Sequence, residues 1–331
     1  MSKVSVIGAG SWGTALATVL ASKGIEVAIW ARKETQLKEM VETRENKKYL
    51  PGVKLEENIK MISDMGQAIE GSDAVLFSVP TQAFRENFTK ALDYLTDDMV
   101  VINVAKGFEL GSLKRISEIA YELKPNVKFC VLSGPSHAEE VGKRMPTAVS
   151  VVSKEMKTAE YVQNLFFTDR FRTYVNNDLV GVEVGSALKN IIALGTGISD
   201  GMGFGDNAKA GIMTRGLTEI ARLGIALGAD RETFLGLTGV GDLIVTCTSM
   251  HSRNRRCGIL IGQGKSPEEA TKEIGMVVES MYTTEAAYEL AQKVGVEMPI
   301  THIIYDIIKG KVNADEAVEI LMGREKKHEK I

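Results

Sequence analysis

Two patterns of apolar residues follow one another along the chain, and the change between them divides it. In the first half, short unbroken runs of aliphatic and β-branched residues recur at 4–7 (VSVI), 25–30 (IEVAIW), 59–62 (IKMI), 74–79 (AVLFSV), 100–104 (VVINV), 129–132 (FCVL) and 148–152 (AVSVV). Helical stretches lie between most of them, the first at 14–22 (TALATVLAS), stopped by Gly24. Runs without polar alternation predict strands buried on both faces, and their alternation with helices predicts a parallel sheet covered on each side. Residues 171–175 (FRTYV) read as a last strand, whereas 46–52 (NKKYLPG), polar and broken by proline, read as a loop. From about Asp178 the strand pattern stops. Residues 179–198 are nearly all apolar or small, as in a helix buried around much of its circumference. Residues 201–211 (GMGFGDNAKAG) read as a flexible or close-packed turn leading into another helix from Ala208. Residues 267–322 read as amphipathic helices separated by Gly275, Gly295, Pro299 and Gly310, and the charged tail 323–331 is expected to fray.

The first strand runs straight into a glycine turn. Gly8, Gly10 and Gly13 match G-x-G-x-x-G: the first permits the turn, the second admits a pyrophosphate, and the third lets helix pack on strand. The flanking strand and helix favour dinucleotide binding over a merely structural turn, with the anion at a helix N-terminus. The predicted fold is therefore α/β: an N-terminal Rossmann-type doubly wound sheet over residues 1–177, followed by an all-α domain over 178–331. After the second strand, where an NAD-selective site places a carboxylate for the ribose 2′-hydroxyl, the chain has Arg32 and Lys33. Two cations there suit a 2′-phosphate, so NADPH is the expected cofactor, with NADH accepted; the plainer reading is the start of a solvated helix.

Ligands of such sheets bind beyond the carboxyl ends of the strands. Three of those edges stand out. Residues 78–81 (SVPT) read equally as a strand terminator or a cofactor contact. Lys106, beside Gly107, puts a cation at the ligand edge, and 133–138 (SGPSHA) offers free N–H groups with Ser136 as an N-cap. His137 has no visible partner and reads as non-catalytic. In the second half, Lys189 enters an apolar helix, where desolvation lowers a lysine's pKa toward the range useful for proton transfer; the plainer reading is a lysine that snorkels to solvent. Asp242 is either an ordinary helix N-terminal acid or a buried mate for that lysine. Residues 251–256 (HSRNRR) place cations at an apparent helix start, with Ser252 or Asn254 as cap, suited to an anion or simply solvated.

A net charge of −3 over 331 residues gives no footprint for nucleic acid or an anionic membrane, which leaves small charged metabolites as ligands. The three cysteines, Cys130, Cys247 and Cys257, are widely spaced and read as buried reduced thiols, and the four histidines are scattered without metal-ligand spacing. No apolar run is expected to reach a membrane span, and a cytoplasmic location follows by default.

Taken together, GAGSWG at 8–13, AKG at 105–107, SGPS at 133–136, ALKN at 187–190, GFGDNAK at 203–209, GVGD at 239–242 and SRN at 252–254 resemble the bacterial NAD(P)-dependent glycerol-3-phosphate dehydrogenases, from the first strand to about residue 320. The resemblance implies reversible reduction of dihydroxyacetone phosphate to sn-glycerol 3-phosphate, feeding phospholipid synthesis. It makes Lys189 the catalytic proton donor and acceptor, with Lys106, Gly134, Ser136, Asp242, Ser252, Arg253 and Asn254 as further substrate contacts. Gly8, Gly10, Gly13, Ser11, Trp12, Arg32, Lys33, Ala138, Val277 and Glu279 would meet the cofactor, and Lys106 and Arg253 both ligands. It also implies an active site in a cleft between the domains. The family usually has V-V-E-G where this chain has 277–280 as VVES. The expected assembly is a homodimer, with no nucleic-acid partner. A hydroxyacid or 6-phosphogluconate type dehydrogenase remains a second reading, separated by its substrate. A non-catalytic NAD(P)-binding regulator is a third, and it leaves Lys189 without a purpose.

Overall fold

The structure is a computed structural model and describes residues 2–326 and 328; the rest of the charged tail lies outside the described residues. The chain divides into two compact units, one of residues 1–105 and 116–179, the other of 106–115 and 180–331. The division expected at Asn177 is corrected in one respect: residues 106–115, between a strand and a helix of the first unit, pack with the second.

The first unit holds strands β1 (Lys3–Ile7), β2 (Glu26–Trp30), β3 (Glu45–Asn46), β4 (Leu50–Lys54), β5 (Ile59–Ile62), β6 (Ala74–Phe77), β7 (Val100–Asn103), β8 (Lys128–Ser133), β9 (Thr147–Val152) and β10 (Phe171–Asn176). Its helices are α1 (Ser11–Ala21), α2 (Glu34–Thr43), α3 (Met65–Ile69), α4 (Phe84–Ala91), α5 (Ile116–Leu123), α6 (Ala138–Gly142) and α7 (Met156–Phe166). Eight strands form one sheet in the order β10-β9-β8-β7-β6-β1-β2-β5. The strands that hold the centre, β1, β6 and β7, are buried along almost their whole length, as their unbroken apolar runs require. Two expectations are corrected. The sheet is not wholly parallel, because β9 pairs antiparallel to β8 while β10 runs parallel to β9. The stretch read as a loop is part of a small antiparallel hairpin, β3–β4, whose second strand carries Pro51 and Gly52 exposed. A proline is tolerated there because a two-stranded ribbon leaves outer N–H positions unpaired.

The second unit is helical: α8 (Leu179–Gly201), α9 (Asp206–Ala226), α10 (Asp242–Thr248), α11 (Arg253–Gly262), α12 (Pro267–Ile274), α13 (Glu279–Val294), α14 (Pro299–Ile308) and α15 (Ala314–Met322). The predicted breaks are where the helices end: Gly275 and Gly295 terminate α12 and α13 in the left-handed conformation. The turn read at 201–211 shrinks to the few residues between α8 and α9. Against expectation, α8 has the length and hydropathy of a membrane span, 23 residues with an 18-residue stretch at mean hydropathy 1.3, but 89% of that stretch is buried inside the protein. It is the core helix around which the unit packs, and Phe108, from the inserted segment, belongs to the same core. The buried Glu219 of α9 accepts the N–H groups of Ile300 and Thr301 and the Thr301 hydroxyl, fastening the start of α14. Burial pushes its carboxyl up to about 7 against the pull of those donors.

Candidate active site

In the first unit the glycine turn shows which of its residues the fold itself requires. Gly8 adopts a left-handed φ of 113°, and a β-carbon there would stand 2.5 Å from the Ser78 carbonyl oxygen; one on Gly13 would stand 2.2 Å from that of Gly8. Both are demanded by packing. Gly10 is different: a β-carbon there would meet nothing within 4 Å, so its bareness leaves open ground at the start of α1. No side chain caps α1 and no acid lies in its first turn. Free N–H groups of Ser11, Trp12 and Gly13 therefore face an open approach with the positive end of the helix dipole behind them, which fits a pyrophosphate. Exposed Arg32 and Lys33 follow β2, the strand beside β1, and lead into α2.

At the end of β8, Gly134 has φ 151° and lies so close to β9 that a β-carbon would stand 2.9 Å from the Val149 Cα. The expectation that Ser136 caps the next helix is corrected: its hydroxyl donates to the Gly134 carbonyl at 2.9 Å, closing the turn, and His137 takes the N-cap position of α6 through its backbone. Ala138 begins that helix.

The second unit contains the cluster of chemical interest. Lys189, 6% exposed in the middle of α8, donates to Asp242 Oδ1 and, at 2.7 Å, to the Thr246 hydroxyl. Lys106, the first residue of the inserted segment, donates to the other oxygen of Asp242 at 2.7 Å. Asp242 is both things its sequence suggested: the first residue of α10 and a buried mate for a lysine. The turn before it, Leu237–Gly241, is a π-helical turn, and Gly239 packs so tightly on Phe234 that a β-carbon would stand 2.0 Å from its carbonyl oxygen. Thr246 was not foreseen, although its spacing of four from Asp242 puts both on one face of α10. Its hydroxyl also donates to the Asp242 carbonyl at 2.6 Å.

One carboxylate between two ammonium groups sets the electrostatics. Burial, helped by the Lys106 charge, pulls Lys189 down to about 7 against the attraction of Asp242. Burial works on Asp242 in the opposite sense, but the two lysines overcome it and hold the carboxyl below its usual range. Lys189 is thus poised to give or take a proton near neutrality beside a fixed cation and a fixed anion.

The start of α11 carries the residues read as an anion site. Ser252, not Asn254, is the N-cap, accepting the Arg255 N–H at 3.2 Å, and Arg253 opens the helix. Asn254 is buried and ties elements together: its amide donates to Asn190 at 2.9 Å, and its carbonyl accepts the Ser280 N–H at 3.0 Å. Val277 is 39% exposed just ahead of α13, and Glu279 is the first residue of that helix. Ser280, at the departure from the family pattern, sits inside α13 with its hydroxyl buried and without a hydrogen-bond partner. Its φ is not positive, so the position needs no glycine for its backbone.

The pattern describing the N-terminus of NAD-dependent glycerol-3-phosphate dehydrogenase matches residues 3–159, and that for the C-terminus matches 178–319. The chain belongs to the NAD-dependent glycerol-3-phosphate dehydrogenase family. It is 55% identical to the glycerol-3-phosphate dehydrogenase (NAD(P)+) of Thermoanaerobacter sp. (strain X514), over 99% of this chain and 98% of that one. The Bacillus subtilis (strain 168) protein of the same name is 53% identical, over 99% and 96%. Among solved structures, the glycerol-3-phosphate dehydrogenase of Coxiella burnetii superposes with a TM-score of 0.93 at 38% identity, covering 98% of this chain and 99% of that one. As a member of this family the chain is an oxidoreductase, a sheet-based nucleotide-binding fold joined to a helical one.

Proposed function

We propose that the protein catalyses the reversible, NADPH-dependent reduction of dihydroxyacetone phosphate to sn-glycerol 3-phosphate, with NADH as a poorer cofactor. The observation that carries this reading is the buried Lys189 with Asp242 and Lys106, a proton donor poised near neutrality beside a second cation. Residues 1–105 and 116–179 serve as the dinucleotide unit, and 106–115 with 180–331 as the catalytic one. The start of α1 with Gly8, Gly10, Ser11, Trp12 and Gly13 holds the pyrophosphate; Arg32 and Lys33 meet the 2′-phosphate; Ala138, Val277 and Glu279 complete the cofactor contacts.

The cofactor supplies a hydride for the ketone carbon. Protonated Lys189 gives its proton to the carbonyl oxygen as negative charge grows there, and Lys106 stabilises that charge. Asp242 keeps both ammonium groups in place, and Thr246 fixes the direction of the Lys189 proton. In oxidation, neutral Lys189 takes the proton from the alcohol. Ser252, Arg253 and Asn254, at the N-terminus of α11, bind the substrate phosphate, with Gly134 and Ser136 as further contacts. They use binding energy far from the reacting carbon to position it. The product is the backbone of glycerophospholipids, and we assign the enzyme to their supply, as a cytoplasmic homodimer.

Steady-state oxidation of NADPH and NADH with dihydroxyacetone phosphate tests the reading. We expect turnover with both cofactors, faster with NADPH, and its loss in Lys189→Met with NADPH binding retained by fluorescence titration. Turnover of a keto acid with none of dihydroxyacetone phosphate would overturn the assignment, and substantial rate in Lys189→Met would remove that lysine from proton transfer.

A further inference from the structure

Helices α8 and α11 meet through glycines. Gly197 and Gly201 of α8 face Gly258 and Gly262 of α11: a β-carbon on Gly258 would stand 2.1 Å from the Leu194 carbonyl oxygen, and one on Gly262 would stand 2.2 Å from that of Ile198. Small residues four apart let two backbones touch. They also remove the large side chains whose interdigitation sets how far one helix slides along another. Leu194 meets Gly258 and Ile198 meets Gly262, so the two helices run in the same direction. The first turn of α11 then lies level with Lys189 and Asn190, as the 2.9 Å bond between Asn254 and Asn190 also shows.

Charge sets what packing leaves loose. Asp200, near the end of α8, accepts Arg255 Nε at 2.9 Å and Nη2 at 2.7 Å on one oxygen, while Lys209 of α9 lies 2.9 Å from the other. The remaining Arg255 nitrogen donates at 2.9 Å to the carbonyl of Thr248, the last residue of α10. The side chains of Asp200 and Arg255 are only 13% and 12% exposed. One carboxylate thus joins four helices, two of which carry Lys189 and Asp242 and a third Ser252, Arg253 and Asn254 at its start. A planar guanidinium held in this way has little freedom to shift.

We propose that Asp200 is a positioning residue for substrate phosphate: acting through Arg255, it fixes the start of α11 against the helix that carries Lys189. Asp200 lies eleven residues beyond Lys189, about 16 Å along the axis at the helical rise, and touches no reacting atom. The proposal rests on the reading of function above. It makes the phosphate the chief beneficiary of the cluster, so damage to the cluster falls more heavily on phosphorylated substrate than on its unphosphorylated analogue.

The test compares wild type, Asp200→Asn and Arg255→Lys on dihydroxyacetone phosphate and on unphosphorylated dihydroxyacetone, with inorganic phosphate binding measured by calorimetry. We expect KM for the phosphorylated ketone to rise about tenfold or more, as small misplacements of a binding group do. Phosphate binding weakens in parallel, while kcat and any rate on dihydroxyacetone stay within about twofold. Equal losses on both ketones, or an unchanged KM, would overturn the proposal. So would loss of fold in both variants, because Arg255→Lys keeps the charge and gives up only the fork. If wild type fails to reduce dihydroxyacetone phosphate, the functional reading is wrong, and phosphate affinity in the variants still decides whether Asp200 sets the anion site.

Discussion

At the scale of single residues, the chemistry turns on how Lys189 is charged. Burial and, in smaller part, Lys106 pull its ammonium down to about 7, so the acid form dominates below neutrality and the base form above it. Reduction consumes the acid form and oxidation the base form. We therefore expect kcat/KM for dihydroxyacetone phosphate to fall as pH rises through about 7, and kcat/KM for sn-glycerol 3-phosphate to rise over the same interval. Lys106→Met removes a neighbouring cation, so the residual activity should show its limb displaced to higher pH; displacement to lower pH would contradict the assigned electrostatics. A second expectation concerns the cofactor. Arg32→Asp puts a carboxylate where a 2′-phosphate would lie, and the NADPH to NADH ratio of kcat/KM should drop, whereas an unchanged ratio would take Arg32 out of recognition. Lys189 was legible in the sequence because the cost of desolvating an ammonium is a property of the residues around it. Thr246 was not, since a threonine on an apolar helix face normally just back-bonds to its own turn, as this one also does.

At the scale of elements, glycines separate into those that packing requires and those it does not. Gly258 meets rigid backbone, with the Leu194 oxygen 2.1 Å from any β-carbon and the Ile198 nitrogen 2.8 Å away. Gly258→Ala must push α8 and α11 apart, and we expect it to destabilise the protein by about 1–3 kcal/mol in denaturant unfolding, with KM for dihydroxyacetone phosphate raised as well. Gly211, on the exposed face of α9, meets nothing within 4 Å. Gly211→Ala should stabilise by about 0.5–1 kcal/mol through helix propensity alone. If both changes cost the same, the crossing is not close-packed. Strands and helices were read well from periodicity because burial on both faces leaves a signature in each strand's own residues. Direction leaves none: β9 reads as apolar as β8, and its antiparallel pairing is decided by how α6 and its flanking turns return the chain. The β3–β4 hairpin was hidden by Pro51 and Gly52, which argue for a loop wherever a strand is not at an edge.

At the scale of the whole molecule, the chain leaves the first unit after Ala105, spends ten residues in the second, and returns at Ile116. The side chain of Asn103, at the end of β7, shapes the exit by bonding both the N–H and the carbonyl of Ala105. Inside the second unit the segment is held at three points: Lys106 on Asp242, Phe108 in the core, and Arg115 on the buried Glu183 at 2.8 Å. Sequence order hides this membership, because ten residues between a strand and a helix look like any connection in an alternating fold. The consequence is that the helical unit is incomplete when cut where its helices begin. A chain of residues 180–331 alone would open a hole where Phe108 packs, at a cost of about 3–5 kcal/mol, and would lose the Arg115 ion pair on the buried Glu183, against a total stability of about 5–15 kcal/mol. We expect that fragment to show helical far-ultraviolet dichroism without a cooperative thermal transition, and to bind a hydrophobic dye. The same fragment with residues 106–115 joined ahead of it by a flexible linker should regain a sharp transition. A cooperative transition in the bare fragment would mean that the inserted segment rests on a unit already complete, and that Lys106 is brought to Asp242 by the strand before it, not by the core beneath it.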